Sequence, residues 1–562
     1  MTSDLTCKSR PAGKKKGVLM PLFSLPSRYG IGCISKEAYE FVDWLAKTGN
    51  EYWQVLPLNP TGVADSPYQP LSSFAGNAYF IDPAAMIEHG LLTHEEVAAA
   101  DPDAGCESGD AGCESGCAAG CEAGGAGSGF VDYEGLYDVR MRLLLTAYRR
   151  FDANKCAAGG GGADGDGDDC CGADSGGTVE FQGFGSREFR EFCDENEDWL
   201  DDYGMFMALR ERFGKELSWD EWPEPLRKRE AWALDEARSE CAEWIGFYKW
   251  TQFEFYREWS ALKKYANAAG VKIIGDMPIY VSYDSADCWA NPEQFQLDKD
   301  LRPLLVAGVP PDAFAAEGQL WGNPLYDWER MRDEGYSWWT ARIRQCFTMY
   351  DVLRLDHFRG FESYYAVPAT AENAMCGEWK KGPGMDLFER LGDVVLAESG
   401  TDSLRERFIA EDLGFLTEDV HRFLYESGFP GTKVLQFAFD GDPGNLYLPE
   451  NYPENCVVYT GTHDNDTTVG WFEGLADWER EPVLRYLGID PGACEDGQPS
   501  SEARRRSLAE AVCDALIEKA LTSRADLCII PLQDYLHLGS EARTNIPGTV
   551  GCNWRWRLNQ EL

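Results

Sequence analysis

Histidine is scarce in this sequence, with six in 562 residues. Positive charge is also short: 52 Lys and Arg stand against 95 Asp and Glu, for a formal net charge of −43. A field of that sign repels nucleic acid and anionic lipid, so neither is expected as a partner. No apolar run approaches the length that crosses a bilayer, so no membrane span is expected. The stretch from Met1 to Lys16 is polar, ends in three lysines and has no apolar signal core. Secretion is therefore not expected, and a cytoplasmic location is. A nucleophile elbow, a phosphate loop, HExxH and CxxC are all missing, which removes the common signatures of serine hydrolases, nucleotide binders, zinc proteases and thiol redox proteins. No metal and no cofactor is expected.

Aromatic residues are plentiful, at 13% with 19 Trp. Core packing accounts for much of this, but clefts that bind sugars also use aromatic faces, and composition does not separate the two. The 19 cysteines include many placed singly in apolar segments (Cys288, Cys346, Cys456, Cys513, Cys528), a pattern of reduced thiols rather than a disulfide framework.

Read in order, the chain alternates strand and helix. Gly17–Phe23 and Tyr52–Leu58 read as strands flanking a helix over Lys36–Lys47, whose apolar spacing runs through Ala38, Phe41, Val42 and Leu45. Further strands are expected at Val271–Tyr280, Tyr350–Leu355, Arg407–Gly414, Lys433–Phe439, Cys456–Thr467 and Leu527–Asp534. Helical patterns lie between several of them, including Ser337–Tyr350, Thr417–Ser427 and Ser501–Leu521. Eight strands alternating with helices predict an α/β fold, a (β/α)8 barrel over residues 17–562, with no room for a C-terminal β-sandwich after Leu536. Residues 84–268 form a large, mostly helical insertion after the second strand, and its aromatic stripe is assigned to packing on the barrel. The insertion contains two low-complexity segments, 101–129 and 154–177. A calcium loop over the Asp run from Asp164 fails, because its sixth position is Asp169 and its twelfth Ser175. Both segments read as flexible surface insertions. The Gly/Pro-rich stretch from Gly308 to Pro324 reads as a loop too long for a plain connector, of the kind that forms lids.

The chemistry gathers at strand ends. Arg354-Leu355-Asp356-His357-Phe358-Arg359-Gly360 puts four ionisable side chains within six residues where a strand stops. Asp276, Glu411 and Asp464 end other strands, and in a parallel barrel all would ring one mouth. Each alone could be a strand-end ion pair. Four together, flanked by His357 and His463, suit proton transfer and attack at an acetal carbon, which is glycoside chemistry.

These residues resemble glycoside hydrolase family 77, the 4-α-glucanotransferases or amylomaltases of the α-amylase clan. The motifs are Arg354 to Gly360, Ala410-Glu411-Asp412-Leu413-Gly414, Gly461-Thr462-His463-Asp464-Asn465, Asp276-Met277-Pro278-Ile279-Tyr280, Asp65-Ser66-Pro67-Tyr68 and the loop from Pro310 to Pro324. The likeness runs from about Gly17 to Leu558, and the low-complexity segments depart from it. It implies that Asp356 is the nucleophile, Glu411 the acid and base, and Asp464 a third carboxylate gripping the donor ring. It implies that Arg354 keeps Asp356 ionised, that His357 and His463 bond hydroxyls, and that Asp276 and Tyr68 line the same subsite. Trp321 would stack on the acceptor sugar, and Asn323 and Asn465 join the substrate-binding set. The implied substrates are α-1,4-glucan oligosaccharides from maltotriose upward, with glucose as acceptor. A retaining mechanism needs the Asp356 and Glu411 carboxyls about 5–5.5 Å apart. An α-amylase-type hydrolase with the same strand-end acids, and a non-catalytic glucan-binding barrel, remain the alternatives.

Overall fold

The structure is a computed structural model that describes residues 14–100, 129–158, 185–311, 315–399, 403–414, 416–490 and 501–559. In chain order the strands are β1 (Lys15–Leu19), β2 (Tyr52–Gln54), β3 (Lys272–Met277), β4 (Leu305–Val309), β5 (Gln319–Pro324), β6 (Val352–Leu355), β7 (Ser363–Pro368), β8 (Glu378–Lys381), β9 (Phe408–Ala410), β10 (Gly431–Val434), β11 (Cys456–Tyr459) and β12 (Leu527–Pro531). Eight of them close a barrel in the order β1-β12-β11-β10-β9-β6-β3-β2, and every pairing around it is parallel. The expected (β/α)8 barrel is therefore the observed fold.

The barrel strands are short, and several stop before the expected end. Leu435–Phe437 is a 3-10 turn rather than the continuation of β10. Asp356 and Glu411 each sit one residue past their strands, β6 and β9. The apolar runs mislead because a barrel buries the loops at its mouth as well as its staves: Val55, Leu56 and Leu58 are buried yet lie beyond β2. Inside the barrel Tyr459 donates its hydroxyl to Gln54 Oε1 at 2.8 Å. Gly275 is required by close approach, since a Cβ there would lie 2.2 Å from the Tyr350 ring. That ring's hydroxyl in turn accepts from the Leu58 amide at 3.3 Å.

The chain between β2 and β3 is helical where it is described, with long helices at Tyr133–Ala158, Glu197–Phe213 and Ala242–Ala268. The last of these carries much of the aromatic stripe into the core: Trp250 and Trp259 are fully buried, and Trp259 Nε1 donates to the Met349 carbonyl at 2.8 Å. Trp232 departs from the packing assignment, being 58% exposed. The low-complexity segments 101–129 and 154–177, with the Asp run from Asp164, lie almost entirely outside the described residues. Among the described residues no helix is long and apolar enough to cross a membrane.

One element was not expected. Strands β5-β4-β7-β8 form a separate antiparallel sheet beside the barrel, built largely from the stretch read as a Gly/Pro lid. Leu305–Val309 pairs with Ser363–Pro368 on one side and with Gln319–Pro324 on the other. Of the Gly and Pro residues that suggested a loop, Pro310, Pro311 and Gly318 belong to the turn between β4 and β5, Gly308 and Gly322 lie within those strands and Pro324 ends β5; residues 312–314 of that turn lie outside the described residues. After β12 no sandwich follows among the described residues. The chain instead turns back so that Trp554, Trp556 and Leu558 are buried in the main core.

Candidate active site

Strand register assembles the site. β3 pairs with β6 so that Asp276 lies opposite Arg354, and β6 pairs with β9 so that Leu355 lies opposite Ala410. Asp356 and Glu411 are the next residues of adjacent parallel strands, which are spaced about 4.8 Å apart. The main chain continues the pairing past the strand ends: the Asp356 amide donates to Met277 O at 3.0 Å and the Glu411 amide to Leu355 O at 3.1 Å.

Arg354 organises the acids. Its Nη1 contacts both carboxylate oxygens of Asp276, at 2.7 and 2.8 Å, and Asp356 Oδ1 at 2.9 Å. The Arg354 and Asp276 side chains are 3% and 0% exposed, whereas Asp356 keeps 27% of its surface open to the cleft. A buried charge pair of this kind is tolerated when its remaining atoms are satisfied. Asp276 Oδ2 meets that condition with a further bond from the Tyr68 hydroxyl at 2.9 Å. Burial pushes the Asp356 carboxyl up to about 8, with Arg354 pulling it down and the neighbouring acids adding to the rise. Arg354 thus pulls Asp356 toward the ionised form, and burial outweighs that pull.

Glu411 is held by backbone alone: Oε2 accepts from the His357 amide and Oε1 from the Leu413 amide, both at 2.8 Å. Burial raises its pKa, and Arg354 and these two amides pull against the rise. His357 takes a left-handed backbone conformation, φ 49°, unusual for a non-glycine residue. That bend turns its amide toward Glu411 while the imidazole meets the edge of Trp321, ring centroids 4.9 Å apart. Burial holds His357 down near a pKa of 3, so the ring is neutral. Its Nε2 is buried without a protein partner among the described residues.

On the far side, His463 Nε2 lies 2.9 Å from the Tyr68 hydroxyl and the two rings stack at 5.3 Å. Asp464 follows, its Oδ2 3.4 Å from His463 Nε2. Asn465 sits in the same turn, but its side-chain oxygen accepts from the Thr462 amide and hydroxyl, both at 2.9 Å. Asn323 is buried on β5, where its amide group meets Gln69 and donates to Val281 O at 2.8 Å. These two asparagines are thus engaged in holding the walls. The other predicted residues converge on one mouth of the barrel.

The sequence reading missed Gln69, and it missed Arg543, Asn545 and Trp554 of the C-terminal segment. Asn545 Nδ2 donates to Asp464 Oδ1 at 2.6 Å. The Trp554 ring packs 5.4 Å from that of Tyr68. The only sequence signal was polar and aromatic residues continuing past the last barrel strand, in a segment that carried no motif. Among the described residues, no group of three or more His, Cys, Asp or Glu is arranged to hold a metal.

A buried cation joining two carboxylates, a third acid oriented by amides on the next strand and a neutral imidazole packed against Trp321 can divide nucleophile from proton carrier at an acetal carbon. The 4-alpha-glucanotransferase family model matches residues 20–561. The 4-alpha-glucanotransferase of Thermus thermophilus is 42% identical over 544 residues, 96% of this chain and 94% of that protein. That of Streptococcus pneumoniae is 38% identical over 554 residues, 98% and 94% of the two chains. Among solved structures, the amylomaltase from Streptococcus agalactiae in complex with acarbose superposes with a TM-score of 0.80 at 34% identity, over 97% of this chain and 95% of that one. The chain belongs to the 4-alpha-glucanotransferase family, glycoside hydrolase family 77.

Proposed function

We propose that Asp356 is the nucleophile and Glu411 the proton carrier of a two-step transfer of α-1,4-glucan segments. An Asp356 oxygen attacks the anomeric carbon of the donor while Glu411 gives its proton to the departing 4-oxygen. The Glu411 carboxylate then takes the proton of an acceptor 4-hydroxyl, whose oxygen attacks the same carbon and breaks the bond to Asp356. Two inversions give retention. The observation that carries this assignment is the single Arg354 nitrogen shared by Asp276 and Asp356. It hydrogen-bonds Asp356 and not Glu411, a direct pull toward the carboxylate form that opposes the rise caused by burial.

Asp464, Tyr68, Asp276, His357 and His463 line the donor ring in this reading, with Trp321 on the acceptor side. The donors are maltotriose and longer oligosaccharides, and glucose serves as acceptor. Residues 17–562 act as one catalytic unit, with 84–268 as its insertion. A cytoplasmic setting fits the seven buried cysteines, all of them free thiols.

The enzyme is a transferase, and the hydrolase alternative is not favoured. Chromatography of products from maltotriose tests the residue roles: wild type yields glucose and a ladder of longer oligomers, and Asp356→Ala yields neither. A wild-type ladder from Asp356→Ala would refute the assignment. For Trp321→Ala the reading expects more hydrolysis per transfer, and an unchanged ratio would remove Trp321 from the acceptor side.

A further inference from the structure

The third carboxylate is not held by the strand that carries it. Asp464 follows β11, and its side chain is 44% exposed. A carboxylate so placed on a turn has several rotamers open to it. Two side chains from the C-terminal segment close on it. Asn545 Nδ2 donates to Asp464 Oδ1 at 2.6 Å, and Arg543 Nη2 donates to the Asp464 carbonyl at 2.8 Å. Arg543 Nε bonds the Asn545 carbonyl at 2.8 Å, so the two are braced against each other. A carboxylate only accepts, so the amide nitrogen of Asn545 is the atom that faces it.

The segment is itself anchored. Asn545 is 9% exposed. Asn553 Oδ1 accepts from the Ile546 amide at 2.9 Å, and the Trp554 amide donates to Thr544 O at 2.8 Å. Trp554 takes a φ of 64°, rare for so large a residue and of the kind that collects at functional sites. In that conformation its ring backs both Tyr68, at 5.4 Å, and His463, at 6.1 Å.

We infer that Asn545 is a positioning residue that holds Asp464 by Oδ1 and so presents Oδ2 to the donor sugar. The inference rests on the proposed role of Asp464. The charged and titratable groups facing Asp464 are His463, 3.4 Å from Oδ2, and Arg543. Tyr68 and Asp356 feel its charge across the pocket. Asp466 faces the other side of Arg543 at 4.0 Å.

The test uses the full chain, maltotriose and pH 5 to 8. Asn545→Ala should lower kcat at least tenfold with little change in melting temperature. Asn545→Asp places two carboxylates at hydrogen-bond distance, which share one proton at low pH and repel when it leaves. Its activity relative to wild type should therefore fall as pH rises, which a merely structural residue would not produce. An Asn545→Ala enzyme within twofold of wild type overturns the inference, as does an Asn545→Asp ratio that is flat or rises with pH. If Asn545→Ala melts early, the pH trend within Asn545→Asp decides alone. Asp464→Asn separates the two levels: full activity in it overturns the role of Asp464 itself, whereas an inactive Asp464→Asn beside a normal Asn545→Ala overturns only the positioning.

Discussion

Gln69 and Asn323 exchange two hydrogen bonds: Gln69 Nε2 donates to Asn323 Oδ1 at 3.0 Å, and Asn323 Nδ2 donates to Gln69 Oε1 at 3.2 Å. The pair joins the loop after β2, which carries Tyr68, to β5, which carries Trp321. Two of the pocket's aromatic walls are thereby tied together. Gln69→Ala and Asn323→Ala each break both bonds, so the second substitution should add little to the first. A coupling energy of about 1–2 kcal/mol in kcat/KM for maltotriose is expected. Additive losses would show that the pair does not act as a unit.

The division of labour between Asp356 and Glu411 can be separated with a donor whose leaving group needs no proton. Glu411→Gln should lose about 10²–10⁴-fold on maltotriose and retain far more of the first step on an α-maltosyl fluoride, read as fluoride release. Asp356→Ala should be inactive on both. A Glu411→Gln enzyme equally impaired on the two donors would contradict its role as acid.

The pH profile should answer to Arg354. The reaction needs Asp356 ionised, burial raises its pKa, and Arg354 is the main opposing pull. Arg354→Met removes that pull, so the acid limb of kcat/KM should move to higher pH. Arg354→Lys keeps the charge and should stay closer to wild type. An unmoved limb in the Met variant would mean that another group sets it.

Asp356 should also cost the fold stability. Its folded pKa, about 8, lies above the group's ordinary value of 3.8. Between those two values the unfolded chain binds fewer protons than the folded one, so stability falls as pH rises through this window. Asp356→Asn should melt above wild type by a few degrees at pH 8, and the gap should shrink toward pH 4. A gap independent of pH would show that the carboxyl's ionisation is not the cause.

Much of the site was legible in the sequence because its chemistry is written as strand ends. Asp356, Glu411 and Asp464 each follow an apolar run that does form a barrel strand, and the helix over Lys36–Lys47 falls where its spacing put it. The stretch from Gly308 to Pro324 failed, because its Gly and Pro read as turn signals, whereas its second half is a strand held by pairing with β4. Asn323 and Asn465 stood next to motif residues, yet proximity along the chain does not say which way an amide faces.

The sequence by itself determined the barrel, its acidic mouth and the family, since all three depend on local patterns repeated in order. Only the tertiary structure decided how the acids are used. One arginine joins Asp276 to Asp356 because β3 and β6 share a register, and Asp464 meets Asn545 from 81 positions away because the chain's end folds back over the mouth. Contacts of that range depend on the closure of the whole fold, and closure leaves no local mark in the sequence.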